Sequence, residues 1–237
     1  ARDVSERNRA REMETRLQKL EFVTFVAHEL RTPMTAIATA ARLLEDMSEL
    51  PEDARRVIDV IVRQTGSAER LVRDLLDLSR LESGRFRVEL QDVSLAGLVP
   101  HLVEANPAPL GKNVEVDIPQ GLRVTGDPGR LLQVLSNLLG NAYKYGGSNI
   151  WVLATPTGDG ARVVVEDDGQ GLPHGREADA FEVFARMPGS RGTGAGLGLA
   201  IAKGLVEAQN GSIRYEPRDP QGARFVVDLR VPESSAN

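Results

Sequence analysis

The first third of the chain almost lacks glycine, and its apolar residues recur at intervals of three and four positions. This spacing predicts two long helices between residues 1 and about 82, each with one apolar stripe. A turn at residues 48–53 joins them, because Pro51 suits the start of a helix. The stripes consist of Leu17, Leu20, Thr24 and Ala27 in the first helix and of Val57, Ile61, Gln64, Ala68, Leu71, Leu75 and Leu78 in the second.

Two helices with apolar faces this wide cannot cover each other completely. The economical solution is a homodimer in which two hairpins form a four-helix bundle. The alternative is a bundle within one chain, made together with the second part of the protein.

A domain boundary is predicted at Ser83 and Gly84, where short apolar runs broken by glycine and proline replace the helical pattern. The later part alternates strands, predicted at 114–118, 149–154, 161–167, 213–215 and 223–231, with helices, predicted at 95–105, 128–145 and 196–209. Asp127 is suited to cap the middle helix, with Pro128 in its first turn. The predicted fold class is α+β: a helical-hairpin domain followed by an α/β sandwich, whose sheet is covered by helices on one face.

Composition narrows the possible partners. The net charge of -5 is spread over both signs, and the chain has only one Trp, three Tyr and six Phe, so a nucleic-acid partner is not expected. Without cysteine, the chain has no disulfide, thiolate nucleophile or zinc-thiolate site, which fits a reducing cytoplasm. No apolar run is long enough for a membrane helix, and no contact of this fragment with a membrane is expected. The chain begins at Ala1 rather than Met, which indicates a fragment of a longer protein that can itself be membrane-anchored.

Three polar residues follow one another on the helix after Asp127. Asn137, Asn141 and Lys144 lie at i, i+4 and i+7, so two amides and one ammonium share a stripe. Amide oxygens suit a hard cation such as Mg²⁺, and a nearby lysine suits the phosphates that accompany it. Taken alone, the stripe is better explained as a solvated helix face.

Two glycine-containing segments favour a nucleotide site. The strand that ends at Asp167 runs into Gly169 and Gly171, which let a ligand approach the backbone. Residues 192–199 (GTGAGLGL) open a helix whose N-terminal amides can hold phosphate oxygens, although a glycine run alone is more often a flexible loop. The run fits neither the dinucleotide-binding motif nor the P-loop motif, so both of those folds are excluded.

Five segments together resemble the ordered sequence boxes of the sensor histidine kinases. The resemblance covers about residues 20–231 and is carried by FVAHELRTP (25–33), NLLGNAYKY (137–145), DDGQG (167–171), FEVF (181–184) and GTGAGLGL (192–199). It implies a dimeric helical bundle followed by an ATP-binding domain of the Bergerat fold, which DNA gyrase shares. The implied domains are a signalling helix over 1–20, a dimerisation and histidine phosphotransfer domain over 21–84, and a catalytic ATP-binding domain over 85–237.

The resemblance also implies roles for individual residues. Asn137 and Asn141 would hold Mg²⁺ and phosphates, Lys144 would contact phosphate, and Tyr145 would lie near the nucleotide. Asp167 would accept a hydrogen bond from the adenine amino group. The glycines would allow close approach of adenine (Gly169, Gly171) and of the phosphates (Gly194, Gly196, Gly198). Either lid arginine, Arg186 or Arg191, could reach the γ-phosphate.

His28 can be read in three ways. The stretch HELRT (28–32) begins like a zinc-protease motif, but Thr32 occupies the position of the second histidine ligand, so that reading fails. A lone histidine is usually structural, yet the ATP-binding domain downstream favours a nucleophile. A neutral imidazole can attack a γ-phosphoryl group, and Glu29 can accept its proton or orient the ring. Pro33 removes the helical hydrogen bond to the Glu29 carbonyl, which predicts a bend at the reactive pair.

The predicted function is that of an ATP-dependent protein-histidine kinase. As a homodimer it would phosphorylate His28, pass the group to an aspartate on the receiver domain of a response regulator, and remove phosphate from that regulator with the help of Thr32. One alternative is another Bergerat-fold ATPase or a protein-serine kinase in which His28 is inert. A second is a dimeric scaffold that binds ATP without turnover.

Overall fold

The computed structural model describes residues 26–27, 30–44, 47, 50–173, 175–184 and 196–231. The chain divides into two compact units, with the boundary between Arg85 and Phe86. The first unit is helical and the second combines a sheet with helices.

The helical unit contains a hairpin of two helices. Helix α1 covers residues 30–44, with residues 26–27 also helical, and helix α2 runs over Glu52–Glu82 after Pro51 as its N-cap residue. The two helices approach closely because α1 turns small side chains inward: Ala27, Ala38 and Ala41 are buried. Ala27 packs with Val72 and Leu76 of α2 in one cluster. Pro33 lies inside α1, while the bend predicted at His28 and Glu29 falls outside the described residues.

The residues that α2 buries within one chain overlap with the predicted stripe only at its end, where Leu78 is buried and Leu75 packs against the Ala27 cluster. Ile58, Thr65, Val72 and Leu76 are buried, and they recur at intervals of seven and four. Val57 of the predicted stripe is 58% exposed, and Ile61 and Leu71 are also exposed. The two sets lie side by side on the helix surface, because consecutive residues are about 100° apart. The chain therefore uses one apolar face of α2 for α1 and leaves a neighbouring one open.

The second unit begins with a short strand and contains two sheets. Strands β1 (Gln91–Ser94) and β3 (Arg123–Gly126) form an antiparallel pair. The main sheet has five strands in the order β2-β4-β5-β7-β6: β2 (Asn113–Asp117), β4 (Asn149–Pro156), β5 (Gly160–Asp167), β7 (Ala223–Arg230) and β6 (Ser212–Pro217). Strand β2 is parallel to β4, and the other neighbours are antiparallel.

The helices of this unit are α3 (Leu95–Ala105), α4 (Pro128–Tyr145) and α5 (Gly198–Glu207), with a short 3₁₀ turn at Ala178–Phe181. Asp127 caps α4 as predicted, because its side chain accepts hydrogen bonds from the backbone N–H groups of Gly129 and Arg130 at 3.0 and 3.2 Å. Alternate residues of the central strands and the apolar stripe of α4 supply the core, including Leu131, Leu135, Leu138, Ile150, Val152, Val163 and Val165. Among the described residues, no helix has the length and hydropathy needed to cross a bilayer.

Most predicted elements are present, and the differences have simple causes. Helices α3 and α4 have the predicted bounds, whereas α5 begins and ends two residues inside the prediction. Strands β1 and β3 were missed because each has four residues, which is too short to show an alternating pattern.

A buried glutamine links the two helices that flank the predicted nucleotide site. The Gln209 side chain accepts a hydrogen bond from the backbone N–H of Asp127 at 2.7 Å and donates to the carbonyl of Leu205 at 2.8 Å. Asp127 precedes α4 and Leu205 lies in α5, so this amide fixes the start of one helix against the end of the other.

Candidate nucleotide-binding site

The polar stripe of α4 meets the start of α5. The Asn137 Nδ2 group donates a hydrogen bond to the carbonyl of Gly198 at 3.1 Å. A Cβ on Gly198 would lie 3.5 Å from Asn137 Cγ, so the two helices are already in contact there. This packing places Asn137 beside the N-terminal end of α5. The backbone N–H groups at a helix N-terminus can bind an anion such as phosphate.

The rest of the stripe is more accessible. Asn141 is half-buried, Lys144 is exposed, and the Tyr145 side chain is 48% exposed. Within the described residues, neither the Asn141 amide nor the Lys144 ammonium has a hydrogen-bond or ion-pair partner. One turn of α4 therefore presents an amide and a cation to which no described residue is bound.

Asp167 lies at the end of the central strand β5. It pairs with Ile150 on one side and with Ala223 on the other, and it is 5% exposed. Its Oδ1 accepts a hydrogen bond from the backbone N–H of Gly169 at 2.8 Å. Burial raises the pKa of Asp167, while hydrogen bonds from Gly169 and Ala223 and the charge of Lys112 oppose that rise. The site thus holds a carboxylate in surroundings that disfavour its charge.

The end of α4 is packed directly against this carboxylate. A Cβ on Gly146 would come within 2.7 Å of Asp167 Cβ and 2.5 Å of the Ala142 carbonyl oxygen. A Cβ on Gly169 would lie 2.7 Å from Gly146 Cα. Real side chains do not approach this closely, so only glycine fits at these two positions.

The chain after Asp167 is held by a second set of contacts. Gly171 has φ +67° and lies so close to Gly222 that a Cβ would be 2.5 Å from its carbonyl oxygen. The next residue, Leu172, donates its backbone N–H to the Tyr215 hydroxyl at 3.0 Å. Tyr215 also packs edge-on against Phe225, and Phe225 packs likewise against Phe181.

Asp168 differs from its neighbour Asp167 in its hydrogen-bond partners and in the direction of its pKa shift. Its two oxygens accept hydrogen bonds from the backbone and side-chain nitrogens of Asn149, each at 2.8 Å. These bonds, the backbone one first, hold the pKa of Asp168 below its ordinary value. The two adjacent carboxylates therefore affect stability in opposite directions.

The structure brings together the predicted residues of the later domain that it describes. Asn137, Asn141, Lys144, Tyr145, Asp167, Gly169, Gly171 and Gly198 all lie around the end of α4, the end of β5 and the start of α5. Gly196 is described as well, with φ +71° and its carbonyl accepting a hydrogen bond from the backbone N–H of Phe184 at 3.0 Å. The predicted residues Arg186, Arg191 and Gly194, and also His28 and Glu29, lie outside the described residues.

Thr32 belongs to the helical unit and is exposed on α1. Thr39 and Thr65 each donate the side-chain hydroxyl to the carbonyl four residues earlier. The corresponding acceptor for Thr32 would be residue 28, which lies outside the described residues.

The amide oxygens of this site suit a divalent cation that takes most of its ligands from phosphate oxygens and water. The described residues contain no cluster of three histidine, aspartate or glutamate side chains. The Asn137 amide uses its nitrogen toward Gly198, and no described residue donates to the oxygen of Asn137 or of Asn141. Mg²⁺ accepts such a set, since it commonly takes one or two protein oxygens together with phosphate oxygens and water.

Comparison with known families assigns both units. Residues 126–233 match the family described as "Histidine kinase-, DNA gyrase B-, and HSP90-like ATPase", and residues 18–84 match the "His Kinase A (phospho-acceptor) domain". The chain belongs to the sensor histidine kinases and contains their kinase core.

Several named proteins are similar over most of the chain. They include the alginate biosynthesis sensor protein KinB of Pseudomonas aeruginosa (32% identical over 89% of this chain and 37% of the relative) and the sensor-like histidine kinase SenX3 of Mycolicibacterium smegmatis (30% over 90% and 57%). The sensor histidine kinase RcsC of Escherichia coli is 33% identical over 90% of this chain and 23% of the relative. The chain thus spans about a quarter to somewhat over half of these relatives.

Solved structures agree with this assignment. Full-length ShkA in complex with AMPPNP superposes with a TM-score of 0.73 at 29% identity, covering 90% of this chain and 47% of that one. The mycobacterial sensor histidine kinase MprB superposes with a TM-score of 0.53 at 28% identity, covering 61% of this chain and all of that one (100%). The predicted family and the predicted fold class are confirmed.

The two adjacent aspartates generate a paired stability prediction. Because the folded state raises the pKa of Asp167, its ionised form opposes folding above the unfolded pKa of about 4, and the cost disappears as pH falls. Asp167→Asn should therefore raise the Tm at pH 7.5. Asp168 has a lowered pKa, so its charge stabilises the fold at neutral pH, and Asp168→Asn should lower the Tm. Thermal melts at pH 7.5 and pH 4 test both signs, and equal shifts for the two variants would contradict the analysis.

Alanine variants at Gly140 and Gly146 form a matched pair that tests the contact between the end of α4 and the end of β5. A Cβ on Gly140 meets nothing within 4 Å, so Gly140→Ala should stabilise the helix by about 0.5–1 kcal/mol. Gly146 has an ordinary φ of -71°, so alanine there suffers only from the clash with Asp167 and Ala142. Gly146→Ala should destabilise the fold by about 1–3 kcal/mol. Urea unfolding measures both, and a neutral Gly146→Ala would show that the contact is looser than described.

Proposed function

We propose that this chain is an ATP-dependent protein-histidine kinase that phosphorylates His28 and transfers the phosphoryl group to an aspartate of a response-regulator receiver domain. The supporting observation is the convergence of Asp167, the α4 amide stripe and the start of α5 on one site, in a chain that also carries the motif around His28. The proposed domains are a signalling helix at 1–20, a dimerisation and phosphotransfer domain at 21–84, and a catalytic domain at 85–237.

The adenine end of the proposed site is built on Asp167. A base with an exocyclic amino group needs an acceptor at the closed end of its pocket, and an ionised carboxylate offers only acceptors. The Gly169 N–H orients this carboxylate, and Gly169 and Gly171 let the chain after Asp167 pack closely against Gly146 and Gly222. A guanine would present a carbonyl to the same oxygen, which favours adenine.

The phosphate end is built on α4 and α5. Asn137 and Asn141 would hold Mg²⁺ through their amide oxygens, and Lys144 would bind a phosphate oxygen. Gly198 at the start of α5, with Gly194 and Gly196 before it, is proposed to supply backbone N–H groups to the phosphates. Arg186 or Arg191 is proposed to reach the γ-phosphate. When bound, Mg²⁺ neutralises phosphate charge and orients the chain of phosphates.

In the phosphoryl step, a ring nitrogen of neutral His28 attacks the γ-phosphorus. The N–P bond forms while the bond from phosphorus to the bridging oxygen breaks, and ADP leaves with that electron pair. The proton on the other ring nitrogen passes to Glu29, which can also orient the ring. The phosphorylated histidine then donates its phosphoryl group to the carboxylate of the receiver domain.

Dimerisation is supported by the open face of α2. Val57, Ile61 and Leu71 are exposed in one chain, as are Leu30 and Ile37 of α1. Contiguous apolar residues at helical spacing are costly in water, so a second copy of the same hairpin is the proposed cover. This arrangement is the four-helix bundle of a homodimer.

The nucleophile is tested by His28→Gln. This variant should bind ADP like the wild type, because the nucleotide site lies in the other unit, and it should incorporate no acid-labile, base-stable phosphate from γ-labelled ATP. Asp167→Asn is the complementary variant, with weakened nucleotide binding and an intact His28. Labelling that persists in His28→Gln, or label that survives acid, would point to a serine kinase or another ATPase instead.

Regulator dephosphorylation is proposed to depend on Thr32, one turn after His28. Hydrolysis of an aspartyl phosphate needs a water held in line, and a hydroxyl can position one. Thr32→Ala should keep autophosphorylation and phosphotransfer but lose most phosphatase activity, measured as the decay of purified phospho-regulator. Thr39→Ala is the matched control on α1, because that hydroxyl is already bonded within the helix. Equal decay with wild type and Thr32→Ala would remove the role.

A further inference from the structure

Lys112 lies just before β2, on the side of the sheet where α4 ends. Its Nζ donates hydrogen bonds to the carbonyl oxygens of Ala142 at 3.2 Å, Gly146 at 2.7 Å and Gly147 at 2.9 Å. An ammonium group has three N–H donors, so these three acceptors use all of them. The contacts are partly buried, which makes the group costly to leave unpaired.

The position of Lys112 follows from the sheet. Asn113 is the first residue of β2, pairs with Asn149 of β4, and donates its backbone N–H to the Ser148 carbonyl at 2.8 Å. The register of these parallel strands therefore places Lys112 beside the residues that connect α4 to β4. Its positive charge also lies at the C-terminal end of α4, where the helix dipole favours a cation.

The Gly146–Gly147 turn held by Lys112 packs against Asp167 and Asp168. Gly146 is in contact with the Asp167 side chain, and Gly147 is in contact with Asp168: a Cβ on Gly147 would lie 2.8 Å from the Asp168 carbonyl oxygen. Among the described residues, the Lys112 ammonium is the one side-chain group that binds both glycine carbonyls of this turn. If the turn moved, the end of β5 would lose the surface against which Asp167 is placed.

We propose that Lys112 is a positioning residue for adenine recognition: it fixes the Gly146–Gly147 turn against Asp167 and so holds the carboxylate where the adenine amino group is read. The inference rests on the proposed adenine role of Asp167 and extends it to a residue whose ammonium group is occupied by three backbone carbonyls. Lys112 acts through Asp167, so its replacement should weaken adenine-nucleotide binding only while that carboxylate is present.

The charge of Lys112 also supports this role, because it favours the ionised form of Asp167. Burial raises the pKa of Asp167, and the neighbouring Asp168 raises it further. The groups that lower it are the Gly169 and Ala223 backbone amides and the Lys112 ammonium, which is the one side-chain charge among them. Lys112 thus favours the ionised acceptor at the pH where the nucleotide must bind.

A double-mutant cycle between Lys112 and Asp167 tests the inference. The full 237-residue chain is prepared as wild type, Lys112→Met, Asp167→Asn and the double variant, and Mg·ADP binding is measured by calorimetry well below each Tm. Lys112→Met should weaken ADP binding about tenfold in the wild-type background, but by less than about twofold when Asp167 is already Asn. Lys203→Met, at an exposed lysine of α5, is the matched control and should bind ADP like the wild type.

Base discrimination is the second readout. Guanine lacks the amino group that Asp167 reads, so Lys112→Met should leave the weak Mg·GDP binding unchanged and lower the ratio of ADP to GDP affinity by the same factor as its ADP loss. A purely structural loss would weaken both nucleotides and keep the ratio. If Lys112→Met does not fold, Lys112→Gln keeps an N–H donor without the charge and should show a smaller loss with the same dependence on Asp167.

The outcomes separate this inference from the proposed function. Equal losses from Lys112→Met in both backgrounds, or no loss at all, would overturn the positioning role while leaving the kinase assignment intact. An unchanged ADP affinity in Asp167→Asn would instead overturn the adenine role of Asp167, and the inference about Lys112 with it.

Discussion

The nucleotide site depends on one close contact, that between the end of α4 and the end of β5. Gly146 and Gly169 approach so closely that neither could carry a side chain, and Asp167 is enclosed between them. This contact places the helix that carries Asn137 and Asn141 beside the carboxylate of the central strand. The other end of α4 is fixed separately, because the Gln209 amide joins its cap to α5. With both ends held, the asparagines between them have a fixed position relative to Asp167 and Gly198.

The same contact creates an electrostatic cost. A carboxylate that is 5% exposed has lost most of its water, and among the described residues two backbone amides and one lysine replace part of that solvation. Asp168 shows what a fully compensated carboxylate looks like one residue later, with both of its oxygens bonded to Asn149. Asp167 is incompletely compensated, which is what a group reserved for a ligand requires. An acceptor already saturated by the protein would gain little from an adenine amino group.

Much of this arrangement could be predicted because its signals are local. The Asp127 cap, Pro128 and the spacing of Leu131, Leu135 and Leu138 define α4, and the asparagine stripe follows from its helical period. Lys112 could not be found in this way. A lysine before a strand is ordinary, and its three acceptors lie 30 to 35 residues away in sequence. Gly146 follows a helix, so the sequence alone indicates a helix end there. Its φ of -71° is open to any residue, and glycine is needed only because a side chain would clash. The buried face of α2 was predicted only at Leu75 and Leu78, because the spacing of apolar residues cannot choose between two adjacent apolar faces of one helix.

The division into two units has a consequence for the proposed chemistry. Every described residue of the nucleotide site lies after Phe86, whereas His28 and Thr32 lie before Arg85. The proposed phosphorylation of His28 therefore requires the two units to meet. The proposed hydrolysis of a regulator's phosphate uses the Thr32 hydroxyl and none of the proposed nucleotide-binding residues. Under these two proposals, an input that changes how the units approach each other would alter the kinase step without altering a catalytic group.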